Sequence, residues 1–536
     1  MKSLLVRWWV CAALVVGATW SGSCALAQAE PTGARADAPA RIASLALRED
    51  LCILRRALEE IHPGLYRSHT RESLDAEFAR SEAYFGQDRT RAEAYVELSR
   101  LTATVRCGHT FANPSNQREE VLAELTHDGG VARPRLPLAM RWIDGRLIVT
   151  GTIGAHVDVA PGTEVCAIQG RGAAEILQLM LPLTRADGGN DAKRLAQLDV
   201  TGTEAWAPFD LFLPLLVRLP ATHVDLLLRR PGEADVHEER VPVRTHDDRV
   251  RAQKMAEPAL DGDAPLWGVR MLDERTALLK MPNWVAYKTK WDWQGATHGM
   301  FDKLVAGGVT GLIIDLRGNE GGSDVGSLIL SRLIEAPAGA EGVPSPDFAR
   351  FARYTQVPDG LRGVLDTWDD SFYDRRAQLG ARADLAAHTG LLHAGHTGGF
   401  WTFKDDAGPE MLRARAPRFA GRVAVLVDAS NSSATFMFAR ACRALGVARL
   451  IGEPTGGNMR GINGGAYFFL RLPGSGVSID VPQIGYFPRE AVQPVAGEPW
   501  PDAGVEPHEW VGVTVEDVVS GRDAVMEAAR AWVGGR

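Results

Sequence analysis

Gly311-Leu312-Ile313-Ile314-Asp315-Leu316, followed at once by Arg317-Gly318-Asn319-Glu320-Gly321-Gly322-Ser323, is a nearly unbroken apolar run that feeds a glycine-rich loop. The run has no polar alternation, so it reads as a strand covered on both faces, the situation of a parallel sheet packed between helices. A helix beginning near Ser323 completes a strand, loop and helix unit. The same pattern returns at Val423-Ala424-Val425-Leu426-Val427-Asp428, then Asn431-Ser432-Ser433-Ala434-Thr435, then a helix with a stripe of Met437, Phe438, Ala441, Cys442 and Leu445. From about residue 265 the chain therefore reads as α/β.

Open α/β sheets hold their ligands beyond the carboxyl ends of the strands, which puts the chemistry in these two loops. A serine at a helix start has free backbone N–H groups and the positive end of the helix dipole beside it. Both would stabilise an oxyanion forming next to its oxygen. The serines equally suit a plain helix cap, and the glycines equally suit close packing of the following helix. Spacing alone does not choose. The chain holds no Gly-x-x-x-x-Gly-Lys, no His-Glu-x-x-His and no Gly-x-Ser-x-Gly, so phosphate-loop, zincin and hydrolase-elbow templates lack support.

Working toward the N-terminus, apolar residues recur at helical spacing over Leu45 to Leu58 and Ser73 to Leu101, interrupted by His62-Pro63-Gly64. Residues 41–125 read as a helical domain that ends in Cys107-Gly108-His109-Thr110. Residues 134–250 read as a small β-rich domain with a hairpin at Asp144-Gly145, a strand from Val224 to Arg229 and a helix at Ala173–Leu181. Such a domain would take an extended peptide as an added strand. Within the α/β part, 336–420 reads as an insertion over the sheet edge, with charged helical material from Asp374 to Ala387.

A net charge of −8 without a run of like charges argues against nucleic acid, and 45% hydrophobic with 24% charged residues is an ordinary globular composition. Lys2 and Arg7 precede an apolar stretch from Trp8 to Trp20, shorter than a bilayer span, and Ala25-Leu26-Ala27-Gln28-Ala29 suits signal peptidase. Residues 1–29 are expected to be an export signal, leaving a periplasmic or secreted protein with no stable membrane span. The remaining Cys52, Cys107, Cys166 and Cys442 form no CxxC pair and carry neither a metal nor a redox motif.

The run from Gly311 to Gly322 resembles the "IIDLRGNGGG" element of the tail-specific, or C-terminal processing, serine peptidases and their tricorn-like relatives. Val425 to Ala434 with Gly452-Glu453-Pro454-Thr455-Gly456-Gly457 is similar to that family's nucleophile element and "GEPT" turn. Cys107-Gly108-His109-Thr110 is similar to its "DGHT" element, and Gly504-Val505-Glu506-Pro507 to its "GVxPD". The resemblance implies a multidomain α/β chain: a helical domain, a PDZ-like domain over 134–250 and a crotonase-like catalytic domain over 265–536. It implies an exported serine peptidase acting on peptides or proteins, with no metal or organic cofactor, and leaves a homo-oligomer open.

Carried over, Ser433 matches the nucleophile, Ala434 supplies one oxyanion N–H, and Gly321 and Gly322 flank the other. The general-base lysine of the processing peptidases falls on Asn458, and no lysine follows Lys404. Tricorn-like members use a histidine from the domain before the PDZ segment, and His109 holds that place. A histidine titrates near neutrality, as a base should. The orienting acid maps to Pro501, with Asp502 or Glu498 as substitutes, and His508 is the rival base. A catalytically silent peptide-binding protein and an esterase on the same scaffold remain as alternatives.

Overall fold

The computed structural model describes residues 40–154, 157–202, 204–256, 262–340, 342–383, 385, 392, 399–489 and 500–535. The export segment and Glu498 lie outside the described residues. Among the described residues the first three α-helices are α1 (Ser44–Ile61), α2 (Arg71–Tyr84) and α3 (Arg91–Thr104). The stretch read as helical over 73–101 is thus two helices, because Thr90 starts a new one. Its side chain accepts the Glu93 N–H while the Glu93 carboxylate takes the Thr90 N–H, a reciprocal capping box.

A sheet follows, built from β1 (Leu138–Ile143), β2 (Arg146–Thr152), β3 (Glu164–Ile168), β4 (His223–Arg229) and β5 (His237–Pro242), in the order β5-β4-β3-β2-β1. Asp144 and Gly145 turn the hairpin with φ of 48° and 74°, the doubly positive geometry that matches strand twist. Between β3 and β4 lie α4 (Ala173–Met180) and α5 (Asp191–Ala196). The outer edge of β1 is not bare. Met140 exchanges both backbone hydrogen bonds with Val200, at 2.9 and 2.8 Å, and the Trp142 N–H donates to Asp199 Oδ1 at 2.9 Å. At those positions the chain itself occupies the place an added strand would take. Leu54, Tyr95 and Leu98 of the helices share one core with Val165 and Leu228 of this sheet.

The remaining chain runs through β6 (Gly268–Met271), β7 (Thr276–Lys280), β8 (Gly311–Asp315), α6 (Val325–Leu333), β9 (Phe348–Ala352), β10 (Leu365–Asp366), β11 (Leu379–Ala383), β12 (Phe400–Phe403) and β13 (Arg422–Val427). It ends with α7 (Ser433–Leu445), β14 (Arg449–Gly452), β15 (Ile462–Arg471), β16 (Ser478–Pro488), β17 (Glu509–Trp510) and α8 (Ala524–Val533). One sheet has the order β6-β7-β8-β13-β14-β17, parallel throughout except for β6. Leu312, Ile314, Val423 and Val425 face α6 and α7, while Ile313, Ala424 and Leu426 face α8. Burial on both faces is why these strands have no polar alternation. The chain is a mixed α/β, multi-sheet protein.

A further sheet, β10-β15-β16-β9-β12-β11, draws four of its strands, β9 to β12, from the 336–420 insertion. Helical structure expected from Asp374 to Ala387 is corrected here: Leu379–Ala383 is a strand paired with Phe400–Phe403, and Ala386 and Ala387 lie outside the described residues. Partner strands distant in sequence overrode the local charge pattern. No helix among the described residues is long and apolar enough to cross a membrane.

Candidate active site

Parallel pairing of β8 with β13 brings their two following loops side by side. Two asparagines stitch the loops together. Asn431 Nδ2 donates to Leu316 O (2.5 Å) and Asn319 O (3.0 Å), and Asn431 Oδ1 accepts the Asp428 N–H. Asn319 Nδ2 donates to Met281 O at 2.8 Å, and its Oδ1 accepts the Gly321 N–H at 2.9 Å. Both asparagines are fully buried. Buried amides with their partners met hold such loops in one conformation.

Ser433 is the first residue of α7, and its φ is +53°. Neither serine caps the helix: Ser432 occupies the N-cap without a side-chain cap bond, its hydroxyl instead lying 3.3 Å from Glu320 O. The glycine loop presses against this turn. A Cβ on Gly321 would sit 2.9 Å from the Ala434 nitrogen, and one on Gly322 2.2 Å from Trp284 O, at φ of 101° and 137° respectively. Only glycine fits either place. The expected part of Gly321 as a donor is corrected, because its N–H is already given to Asn319. Among the described residues, the N–H groups of Gly322 and Ala434 have no acceptor. These two remain for an oxyanion.

His109, Ser433, Ala434, Gly321 and Gly322 line one cleft of about 2110 Å³. His109 comes from the turn after α3, its ring 5.8 Å from that of Tyr467. Burial, then Arg185 and Lys193, push its imidazole down to about 4 against the upward pull of Glu320. The ring is neutral at neutral pH, the form that accepts a proton. Among the described residues no hydrogen bond joins it to Ser433.

Asp502 is not brought to His109. Its carboxylate takes the N–H of Gly189 (2.9 Å) and the amide of Asn458 (2.8 Å), and pairs with Arg460 at 3.3 Å. Its place as orienting acid is thereby corrected. His508 is also elsewhere, its Nδ1 accepting the Leu450 N–H at 2.9 Å beside β14, and it does not line the cleft. Asn458, where a lysine was expected, is buried and donates to Asp187 O as well as Asp502.

A lysine does reach the site, from α5. Buried Lys193 donates to Ser430 O at 3.0 Å and pairs with Glu320, whose other oxygen lies 3.4 Å from Arg185. Held in that ion pair, Lys193 braces the serine loop. Arg185 Nε also donates to Gly108 O at 2.6 Å, beside His109. Sequence reading missed Lys193, Arg185, Glu320 and Asp187. Gly188-Gly189-Asn190 before a short helix was the one available signal, a turn and cap of the kind that positions side chains.

Residues 275–508 match the family model described as Peptidase family S41. That segment carries Ser433 and both loops, whereas His109, Asp187 and Lys193 lie before it. Among solved structures the fold is similar to that of mature CPAF complexed with lactacystin, at TM-score 0.57 and 14% identity over 92% of this chain and 98% of that chain. Mature CPAF is similar at TM-score 0.55 and 15% identity, over 92% and 97%. These identities speak to fold alone. No curated protein matches.

Proposed function

We propose that this chain, a serine-type peptidase with its Peptidase family S41 segment at 275–508, cuts peptide bonds with Ser433 as nucleophile and His109 as base. This is the tricorn-like arrangement, in which a histidine serves in place of the lysine. The observation that carries the reading is Ser433 itself: a serine at φ +53°, opening α7 between two N–H groups without acceptors, inside the cleft that His109 also lines.

The Ser433 hydroxyl proton passes to Nε2 of neutral His109 as Oγ attacks the scissile carbonyl carbon. The carbonyl oxygen takes the negative charge between the Gly322 and Ala434 N–H groups, and collapse expels the amine, which receives the proton from His109. Water then repeats the sequence on the acyl-serine. The catalytic part is crotonase-like and the 134–250 sheet PDZ-like in this reading. An export signal at 1–29 would deliver the protein to the periplasm or the exterior, where peptides or proteins are its substrates.

A fluorophosphonate should label the wild type, and Ser433→Ala should abolish both labelling and peptide turnover without changing thermal unfolding. Loss of labelling in Ser432→Ala instead would move the nucleophile by one residue. An unlabelled wild type would favour the silent peptide-binding alternative, and turnover of small esters but not peptides the esterase.

A further inference from the structure

Among the described residues, two buried polar atoms beside the proposed centre lack a hydrogen-bond partner: Nδ1 of His109 and Oδ2 of Asp187. Buried polar groups are rarely left so, and one of these is a donor or acceptor and the other an acceptor. Asp187 already grips the histidine turn, because its Oδ1 accepts the N–H of Gly108, the residue before His109, at 3.0 Å. Position 108 has to be glycine for this, since a Cβ there would lie 2.7 Å from Asp187 Oδ2. The segment is anchored on its other side as well. Gly188 N–H donates to Arg106 O at 2.9 Å, and Asn190 Nδ2 to Thr455 O and Gly457 O at 2.8 and 2.7 Å. Asp187 thus stands between the histidine turn and the turn after β14, while Asp502 is committed to Asn458, Gly189 and Arg460.

We propose that Asp187, not Asp502, is the acid that positions His109, an inference that rests on the Ser433 and His109 reading. When Nε2 takes the serine proton the ring becomes imidazolium, and Nδ1–H donates to Oδ2 of Asp187, which stays ionised. The proton later leaves from Nε2 to the amine, so no bond to Asp187 is made or broken. Such hydrogen bonds tighten as reaction begins and are often unformed at rest. A carboxylate at Nδ1 supplies both ring orientation and counter-charge. Charged or titratable groups around the pair are Glu320 beside His109, Arg67 and Cys107 beside Asp187, and Arg185, Lys193 and Tyr467 beside both. Burial pushes the Asp187 carboxyl up to about 6, which leaves it mostly ionised at neutral pH.

Asp187→Asn keeps an oxygen for the Gly108 N–H and removes the charge. The expected result is a fall in kcat of at least about 100-fold with KM little changed. The acid limb of kcat/KM should also move to lower pH, because the protonation of Asp187 near 6 is removed and only that of His109, near 4, remains. A purely structural role would lower activity without moving that limb. Asp502→Asn should change kcat less than about threefold.

Retention of near-full activity with an unmoved limb in Asp187→Asn overturns the inference, as does a limb that moves only in Glu320→Gln. Failure of the underlying reading looks different: Ser433→Ala or His109→Ala would then keep turning over substrate. Should Asp187→Asn not fold, proton NMR of a wild-type boronate adduct decides. A far-downfield Nδ1 proton on His109 is expected, and its absence overturns the proposal.

Discussion

A non-glycine residue in the left-handed region costs about 1–2 kcal/mol, and Ser433 holds it where the surroundings leave no alternative. The Thr435 hydroxyl bonds Asn319 O, Asn431 bonds Leu316 O, and Gly321 presses on the Ala434 nitrogen. Gly322 is under the same constraint from Trp284 O. Gly322→Ala should therefore shift the loop and its N–H, lowering kcat by roughly 10²–10³-fold, the usual cost of a lost oxyanion donor. A loss of turnover below about tenfold, with unfolding unchanged, would place the donor elsewhere. The histidine carries a pH prediction. A base works only while neutral, and an imidazole lowered to about 4 stays neutral until the pH nears that value. Thus the first fall of kcat/KM on acidification, near 6, belongs to Asp187, and the fall that comes from protonating His109 appears only near 4, well below the ~6.5 of an ordinary histidine. In Asp187→Asn, a midpoint near 6.5 would contradict the burial of His109. His109→Ala should lower turnover roughly 10²–10⁴-fold and His508→Ala far less.

Strands β8 and β13 owe their existence to having two covered faces. Ile314 points to α6 and α7 and Ile313 to α8, and both are fully buried. Ile314→Ala should lower stability by about 2–5 kcal/mol, read from the denaturant midpoint, because the packed face closes only partly over the cavity. A loss below about 1 kcal/mol would mean that this face collapses freely. Elements of this kind were legible in the sequence because a doubly buried strand writes itself as an apolar run. The strand Leu379–Ala383 was not legible. Asp374, Arg375 and Arg376 precede it and its own exposed residues carry no alternation, so the pairing with Trp401 and Phe400 alone makes it a strand.

At the scale of the whole molecule, the 134–250 sheet is tied in at several points. Arg141 on β1 reaches both oxygens of Glu453 at 3.1 and 2.9 Å, just after β14, and lies 3.4 Å from Asp199. Lys193, Asn190 and Asp187 from the same segment support the serine loop and the histidine turn, and the core of the sheet runs on into Tyr95, Leu98 and Phe468. Deleting 134–250 should therefore remove cooperative unfolding altogether, as followed by circular dichroism during heating. A soluble deletion with a sharp transition would mean that the sheet folds apart from the rest. Met140 and Arg141 of β1 line the cleft, so substitutions there are the better probe of substrate capture.

Local chemistry was enough to determine the parallel strands, the glycine and serine loops and the Asp144-Gly145 hairpin, and the resemblance of the motifs singled out Ser433 as the serine to test. Each of these depends on residues adjacent in the chain. Which groups stand around that serine depends on contacts between residues hundreds of positions apart, and only the tertiary structure decided it. It took Gly321 out of the donor set, kept Asp502 and His508 away from His109, and brought Lys193 and Asp187 in from a turn with no motif of its own. Hydrogen bonds are met by whichever partner the packing delivers, and a sequence pattern records spacing along the chain, not that delivery.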